Sequence, residues 1–301
     1  MKLSLQKFSF TAPLTALLIS LMACQPTSTP NNSQSKTSGK TLPGQGITVR
    51  SAVNVQEEEF QTEIVNIALE KLGYQTKDIK QLDYSAIYVA IANKDLDFTA
   101  AHYIMSHIEF FDNAGGSDKL ERLGNVVDPI IQGYQIDRKT AEEYNITNLE
   151  QLKDPKIAKL FDSDGDGKAN FIGCNAGWRC EKLIEHQIDV YGLRDTVEQD
   201  AGNYFALIAD AIVRYKQGES ILFYTWTPLW LSSVLKEGQD VIWLEVPYTS
   251  FPGDLAKHTE KDTSVEGKNL GLLVDRQVVM ANPEFLTAKV IFRNEYPSRL
   301  Q

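Results

Sequence analysis

Trp178 sits between Cys174 and Cys180 in the stretch FIGCNAGWRCEKLIEHQ, residues 171–187. The apolar spacing that follows, through Cys180, Leu183, Ile184, Ile188 and Tyr191, predicts a helix beginning at this loop. The first backbone N–H groups of a helix have no partner within it and face outward with the positive end of the dipole. The amides of Arg179 and Cys180 are therefore a candidate seat for a carboxylate or other anion, with an indole face beside it. Taken alone, the loop also reads as a core tryptophan above a stapled turn. A second tryptophan, Trp226, ends the apolar run ILFYTW and is followed by Thr227 and Pro228, a strand break. Tyr103 stands just past DFTAA in the same way, with His107 four residues on. Ends of this kind line ligand crevices in open α/β sheets. Three aromatics from three segments make a candidate cage for a quaternary ammonium. Such a cation has no N–H to donate and is held by ring quadrupoles, at roughly 0.5–2 kcal/mol per ring when desolvated. A cage beside an anion seat describes a site for a small zwitterion of the betaine type.

The chain has 301 residues, 43% of them apolar, and a formal charge of −10. That is enough for one large or two modest cores. The acidity argues against nucleic acid, whose phosphates need a basic surface. The N-terminus, MKLSLQKFSFTAPLTALLISLMACQP, combines Lys2 and Lys7 with an apolar run too short to span a bilayer comfortably, so residues 1–23 read as an export signal. LMAC resembles a bacterial lipobox, which implies lipidation of Cys24. Loss of two lysines with the signal takes the charge from −10 to −12. Residues 24–43, rich in Ser, Thr, Pro and Asn, read as a flexible spacer between anchor and folded body. With Cys24 used by lipid and the chain exported to an oxidising compartment, Cys174 and Cys180 remain as the expected disulfide.

From Gly44 onward strand and helix signals alternate, which predicts parallel sheets covered by helices. GITVRSA (46–52) reads as one strand. A helix over 57–72 is expected to bury Phe60, Ile64, Ile67, Ala68 and Leu72, and Gly73 ends it. Further helices are expected over 84–92, after the cysteine loop, and from Phe205 to Gly218. Strands are expected over 97–101, 221–226 and 241–246. Thr140 with Glu143 and Thr147 with Glu150 fit capping boxes, and Pro155 fits a first helical position.

The chain resembles the periplasmic glycine betaine/proline betaine-binding proteins of ABC uptake systems. The resemblance runs in register through LPGQGIT, ALEKLGY, FTAAHY, NLEQLKDPKIAKLFDSDGDGKA, GCNAGWRCE, GNYFALIADAIVRYKQG, FYTWTPLW, VIWLEVP and PGD. It implies a two-lobed α/β fold of the type II-like periplasmic kind, with residues 44–132 and 247–301 in one lobe, 133–246 in the other and ligand in the cleft between. It implies a ligand ammonium among Tyr103, Trp178 and Trp226. It implies a ligand carboxylate on His107 and the amides of Arg179 and Cys180, with the Cys174–Cys180 disulfide shaping the loop. The expected role is capture of a betaine, without catalysis or cofactor, for a membrane permease and its ATPase in osmoprotection. The expected place is the periplasmic or extracytoplasmic side of the membrane. A lipid-anchored choline or betaine sensor without a transport role is the alternative. Tyr103 stands where the family has tryptophan, and Arg179 where it has glycine. The family also continues for several helices past NEYPSRLQ, so the chain reads as shortened there.

Other motifs compete less well. Asp162, Asp164, Asp166 and Gly167 match the first half of a calcium loop, but the twelfth position is Gly173 where a bidentate Glu is wanted. A tight turn explains the same residues. Cys180 and His186 do not share a helix face, which counts against a thiol hydrolase. His102 and His258 are expected at the surface and His186 partly buried. Trp230 and Trp243 are expected in the core or at its rim.

Overall fold

The computed structural model describes residues 42–289. The expected signal, Cys24, nearly all of the spacer and the end of the chain lie outside the described residues. In place of one strand over 46–52 there are two short ones, β1 (Thr48–Val49) and β2 (Ala52–Val53). Helix α1 (Glu57–Lys71), strands β3 (Gln75–Thr76) and β4 (Lys80–Gln81), helix α2 (Tyr84–Ala92), strand β5 (Phe98–Tyr103) and helix α3 (Ile108–Asn113) follow. Next come β6 (Glu121–Asp137), α4 (Arg138–Tyr144), α5 (Pro155–Ala158), β7 (Ala169–Ile172), α6 (Arg179–Val190), β8 (Val197–Asp200) and α7 (Tyr204–Lys216). The described chain ends with β9 (Leu222–Thr227), α8 (Leu231–Val234), β10 (Val241–Leu244), α9 (Glu260–Thr263), β11 (Ser264–Val265), β12 (Lys268–Asn269), β13 (Asp275–Ala281) and α10 (Pro283–Lys289). No helix among the described residues is long and apolar enough to cross a membrane.

The main sheet is mixed, which corrects the expectation of parallel sheets. Its order is β5-β13-β6-β9-β7-β8, with β10 also on β6. The pairs β13–β5, β13–β6, β6–β9 and β6–β10 are antiparallel. Only β7 runs parallel to its neighbours β8 and β9 within this sheet. The cause is β6, a 17-residue strand. Its first part pairs with β13 as far as Ile130, and from Ile131 it pairs with β9. One strand thus serves both halves of the sheet, and chains returning beside it run against it. Gly133 in β6 leaves room for the Trp243 ring to lie on the strand; a Cβ there would stand 3.0 Å from the ring.

Helix α1 turns the face opposite to the expected one inward. Glu58, Thr62, Asn66 and Leu69 are buried, while Phe60 is 72% exposed and Ile64 and Ile67 are also exposed. Leu69 joins Val49, Tyr74 and Phe98 in a small core, and Glu58 finds four donors inside. Two caps also shift. Asp137, not Thr140, caps α4 by accepting from the Thr140 N–H at 2.8 Å, while the Thr140 hydroxyl meets Ser220. The second capping box is Asn148 with Gln151, one residue beyond Thr147 and Glu150. Pro155 opens α5 behind its cap Asp154, as expected.

The largest core packs Tyr134, Phe171, Phe223, Ile184 and Ile208 between the sheet and helices α6 and α7. A second gathers Ile87, Tyr88, Ile91 and Phe111 around α2. Trp178 is packed against both.

Candidate functional site

The cysteine loop builds the first wall. Cys174 and Cys180 are joined as a disulfide with Cα atoms 6.0 Å apart. Gly177 takes φ +86°, a conformation in which a side chain is strained, and turns the chain so that Trp178 becomes the N-cap of α6. Trp178 offers no side-chain acceptor as a cap, so the amides of Arg179 and Cys180 stay without a partner at the start of the helix. Asn175 ties the loop to α7 by accepting from the Tyr204 N–H at 2.6 Å. A closed ring this short contributes about 2 kcal/mol in the chain-entropy account. We therefore expect Cys174→Ser with Cys180→Ser to melt several degrees lower than the parent in a calorimetric scan, and reductant to lower the parent in the same way.

Tyr103, His107, Trp178, Arg179, Cys180 and Trp226 all line one cavity of about 80 Å³. They come from β5, the turn before α3, the cysteine loop, the first turn of α6 and β9. Trp178 and Trp226 meet edge to face with centroids 5.9 Å apart. Tyr103 packs edge-on to His107 at 4.7 Å. Four further rings line the cavity that sequence reasoning had not placed there, Tyr84, Phe110, Tyr224 and Phe251. Tyr84 lies 4.1 Å from the His107 ring and 6.4 Å from that of Trp178. Tyr224 is two residues before Trp226, so both point to one face of β9; the period of two was the available signal. Gln132 also lines the cavity, accepting from the Tyr224 hydroxyl at 2.9 Å and donating to the Leu273 carbonyl. The turn that carries His107 is pinned by Asp275, whose carboxylate accepts from the Met105 and Ser106 amides and the Ser106 hydroxyl.

His107 belongs to a hydrogen-bonded relay. Arg122 Nε–H donates to His102 Nε2 at 2.7 Å. A neutral His102 then carries its proton on Nδ1 and gives it to the Tyr88 oxygen, 2.5 Å away. The Tyr88 hydroxyl in turn donates to His107 Nδ1 at 3.0 Å. That assignment leaves His107 with Nε2–H as its remaining donor, on a residue that lines the cavity. Both imidazoles are kept neutral. Burial brings His102 down to about 3, helped by the Arg122 charge. Burial likewise holds His107 well below its usual value, with His102 and Arg179 adding to the effect. His102, expected at the surface, is fully buried because it is the middle link of this relay.

Arg179 lies half-buried on the cavity wall, its Nη1 reaching the Met105 carbonyl at 3.5 Å. Trp178 Nε1–H donates to Asn54 Oδ1 at 3.2 Å, and Trp230 donates to Glu57. These contacts join the starts of α6 and α8 to the N-terminal segment.

The remaining candidates lie elsewhere. The carboxylates of Asp162, Asp164 and Asp166 come within 4.8 Å of one another. They are engaged by the turn's own amides: Asp162 accepts from Gly165 and Gly167, Asp164 from Asp166, and Asp166 from Lys168. His186 meets the Ser250 hydroxyl, and His258 is half-buried 3.5 Å from Asp262. Trp243 is buried and Trp230 is 41% exposed at the rim.

Comparison with known proteins gives the family and the fold. The chain is 51% identical over 246 residues to the glycine betaine-binding periplasmic protein OusX of Dickeya dadantii, covering 81% of this chain and 73% of that protein. It is 48% identical over 242 residues to the glycine betaine/proline betaine-binding periplasmic protein of Escherichia coli, covering 80% and 72%. Among solved structures it shares the fold of the glycine betaine, L-proline-binding protein ProX from Borrelia burgdorferi, with a TM-score of 0.58 at 20% identity over 80% of this chain and 77% of that one. Lactococcal OpuAC in its closed-liganded conformation gives a TM-score of 0.56 at 15% identity over 80% and 79%. These are two-lobed substrate-binding proteins, and the fold here is theirs. The model of the substrate-binding domain of ABC-type glycine betaine transport systems matches residues 47–289, and the chain belongs to that family.

Proposed function

We propose that this protein captures glycine betaine or proline betaine on the extracytoplasmic side of the membrane for an ABC importer, and performs no chemistry on it. The observation that carries the reading is the shared cavity of Tyr103, Trp178 and Trp226 with His107 and the first amides of α6. In this reading the trimethylammonium end rests among the rings, desolvated and held by their quadrupoles. The carboxylate accepts from His107 Nε2–H and from the Arg179 and Cys180 amides, where the helix dipole favours negative charge. Arg179 adds a guanidinium on the same wall, a further charge complement for the carboxylate.

In this reading the halves divide near Gln132, where β6 passes from β13 to β9, giving the two lobes expected from the sequence. Ligand between them favours the closed form, because each lobe supplies part of its contacts. Closure then presents one surface to the permease and ATPase subunits, and lipid on Cys24 keeps the protein at the membrane. The test is intrinsic tryptophan emission during titration with glycine betaine, proline betaine, choline and proline. Both betaines are expected to change the emission and saturate at low concentration. Proline, whose nitrogen keeps its N–H bonds, is expected to do so only weakly. A correctly folded protein whose emission no betaine changes would overturn the proposal.

A further inference from the structure

Glu58 is a carboxylate with 1% exposure, one side chain behind the cavity. It lies in the first turn of α1, where the helix dipole favours an anion. Oε1 accepts from the Tyr84 hydroxyl at 2.6 Å. Oε2 accepts from the Asn54 amide at 2.9 Å and the Val55 amide at 3.4 Å. The Tyr103 hydroxyl is a further donor to it. Four donors and no acceptor describe a pocket built for the ionised form. Two of those donors are the phenols that line the cage. A phenol that donates to a carboxylate carries more negative charge on its ring, and ionised Glu58 is in contact with the hydroxyls of both rings. In this low-dielectric setting that charge reaches a cation in the cavity with little screening.

We propose that Glu58 is a specificity-determining residue that makes the Tyr84 and Tyr103 rings read the positive charge of the ligand, so that the site separates a quaternary ammonium from its uncharged tert-butyl isostere. The inference rests on the betaine reading of the cavity. It also gives Tyr103 a function that its hydroxyl alone makes possible.

Proton linkage makes the idea measurable. Burial raises Glu58 to about 7, against the lowering effect of its four donors. The groups that face it are Tyr84 and Tyr88 from α2, Tyr103 from β5 and the two amides ahead of α1, with Glu57 beside it on its own helix and Asp275 and Arg122 acting on the same tyrosines. His102 and His107 are neutral throughout this range. A cation in the cage favours the ionised carboxylate, so binding expels a proton near neutral pH. Affinity therefore rises as pH climbs through about 7 and levels off above it.

Calorimetry with choline, glycine betaine and 3,3-dimethylbutan-1-ol tests this on the wild type and Glu58→Gln, in pairs of buffers that differ in ionisation enthalpy. The expected result is about a tenfold or greater loss for both quaternary ammonium ligands in the variant, with the neutral alcohol unchanged. The wild type is expected to release a fraction of a proton per choline near neutral pH, and the variant none. Equal losses for charged and uncharged ligands, or no loss for either, would overturn the role of Glu58. So would binding of choline to the wild type without proton release, a readout that needs no variant to fold. A wild type that binds neither choline nor glycine betaine would overturn the betaine reading, and this inference with it.

Discussion

Trp178→Ala is expected to weaken glycine betaine binding about a hundredfold in a calorimetric titration while lowering the thermal midpoint less than Trp226→Ala does. The ring contributes a cation–π term of about 0.5–2 kcal/mol and also closes one side of the cavity, where it meets Trp226 and Tyr84. Losing both together corresponds to roughly 3 kcal/mol, or two decades in affinity. Trp226→Ala tests the same cage from β9, but Trp226 is buried in the main core as well. Truncating a buried tryptophan costs about 3–5 kcal/mol of stability, so that variant is expected to lose both affinity and thermal midpoint. The contrast matters more than either number. If Trp178→Ala binds like the parent, the indole is a packing residue and the cage is wrong.

His107→Ala is expected to separate ligands by their acidic end. Glycine betaine affinity should fall about tenfold to a hundredfold, the worth of a hydrogen bond to a charged group, while choline affinity should change much less. The reason is the relay: Arg122, His102 and Tyr88 fix the His107 proton on Nε2, the nitrogen free to donate. His107 is neutral well below neutral pH, so this preference should not change between about pH 6 and pH 8. Equal losses for the two ligands would show that His107 serves only to pack against Tyr84 and Tyr103.

That Tyr103, Trp178 and Trp226 share a cavity was legible because large aromatics at strand ends and after a glycine turn have little reason to be there otherwise. The helix after the cysteine loop was legible from its spacing, and with it the two unpartnered amides. The supporting residues were not. Tyr84 begins a helix whose apolar pattern explains it as core, and it is core as well as wall. Glu58 stands in the run Glu57-Glu58-Glu59, which reads as a solvated helix start. Its burial depends on tyrosines 26 and 45 residues away. Helix α1 shows the general limit: periodicity tells which residues share a face, not which face turns inward, and here the polar stripe went in. Strand β6 was missed because Gly124, Pro129 and Gly133 punctuate it, and all three read as breaks. Its pairing with β13 and β9, far along the chain, holds it extended regardless.

Trp178 packs against two separate hydrophobic clusters and donates its indole N–H to Asn54. An indole shared in this way is a tether. Separating the clusters at this ring would strip apolar surface worth about 2 kcal/mol and break that hydrogen bond, a restraint that Trp178→Ala would remove.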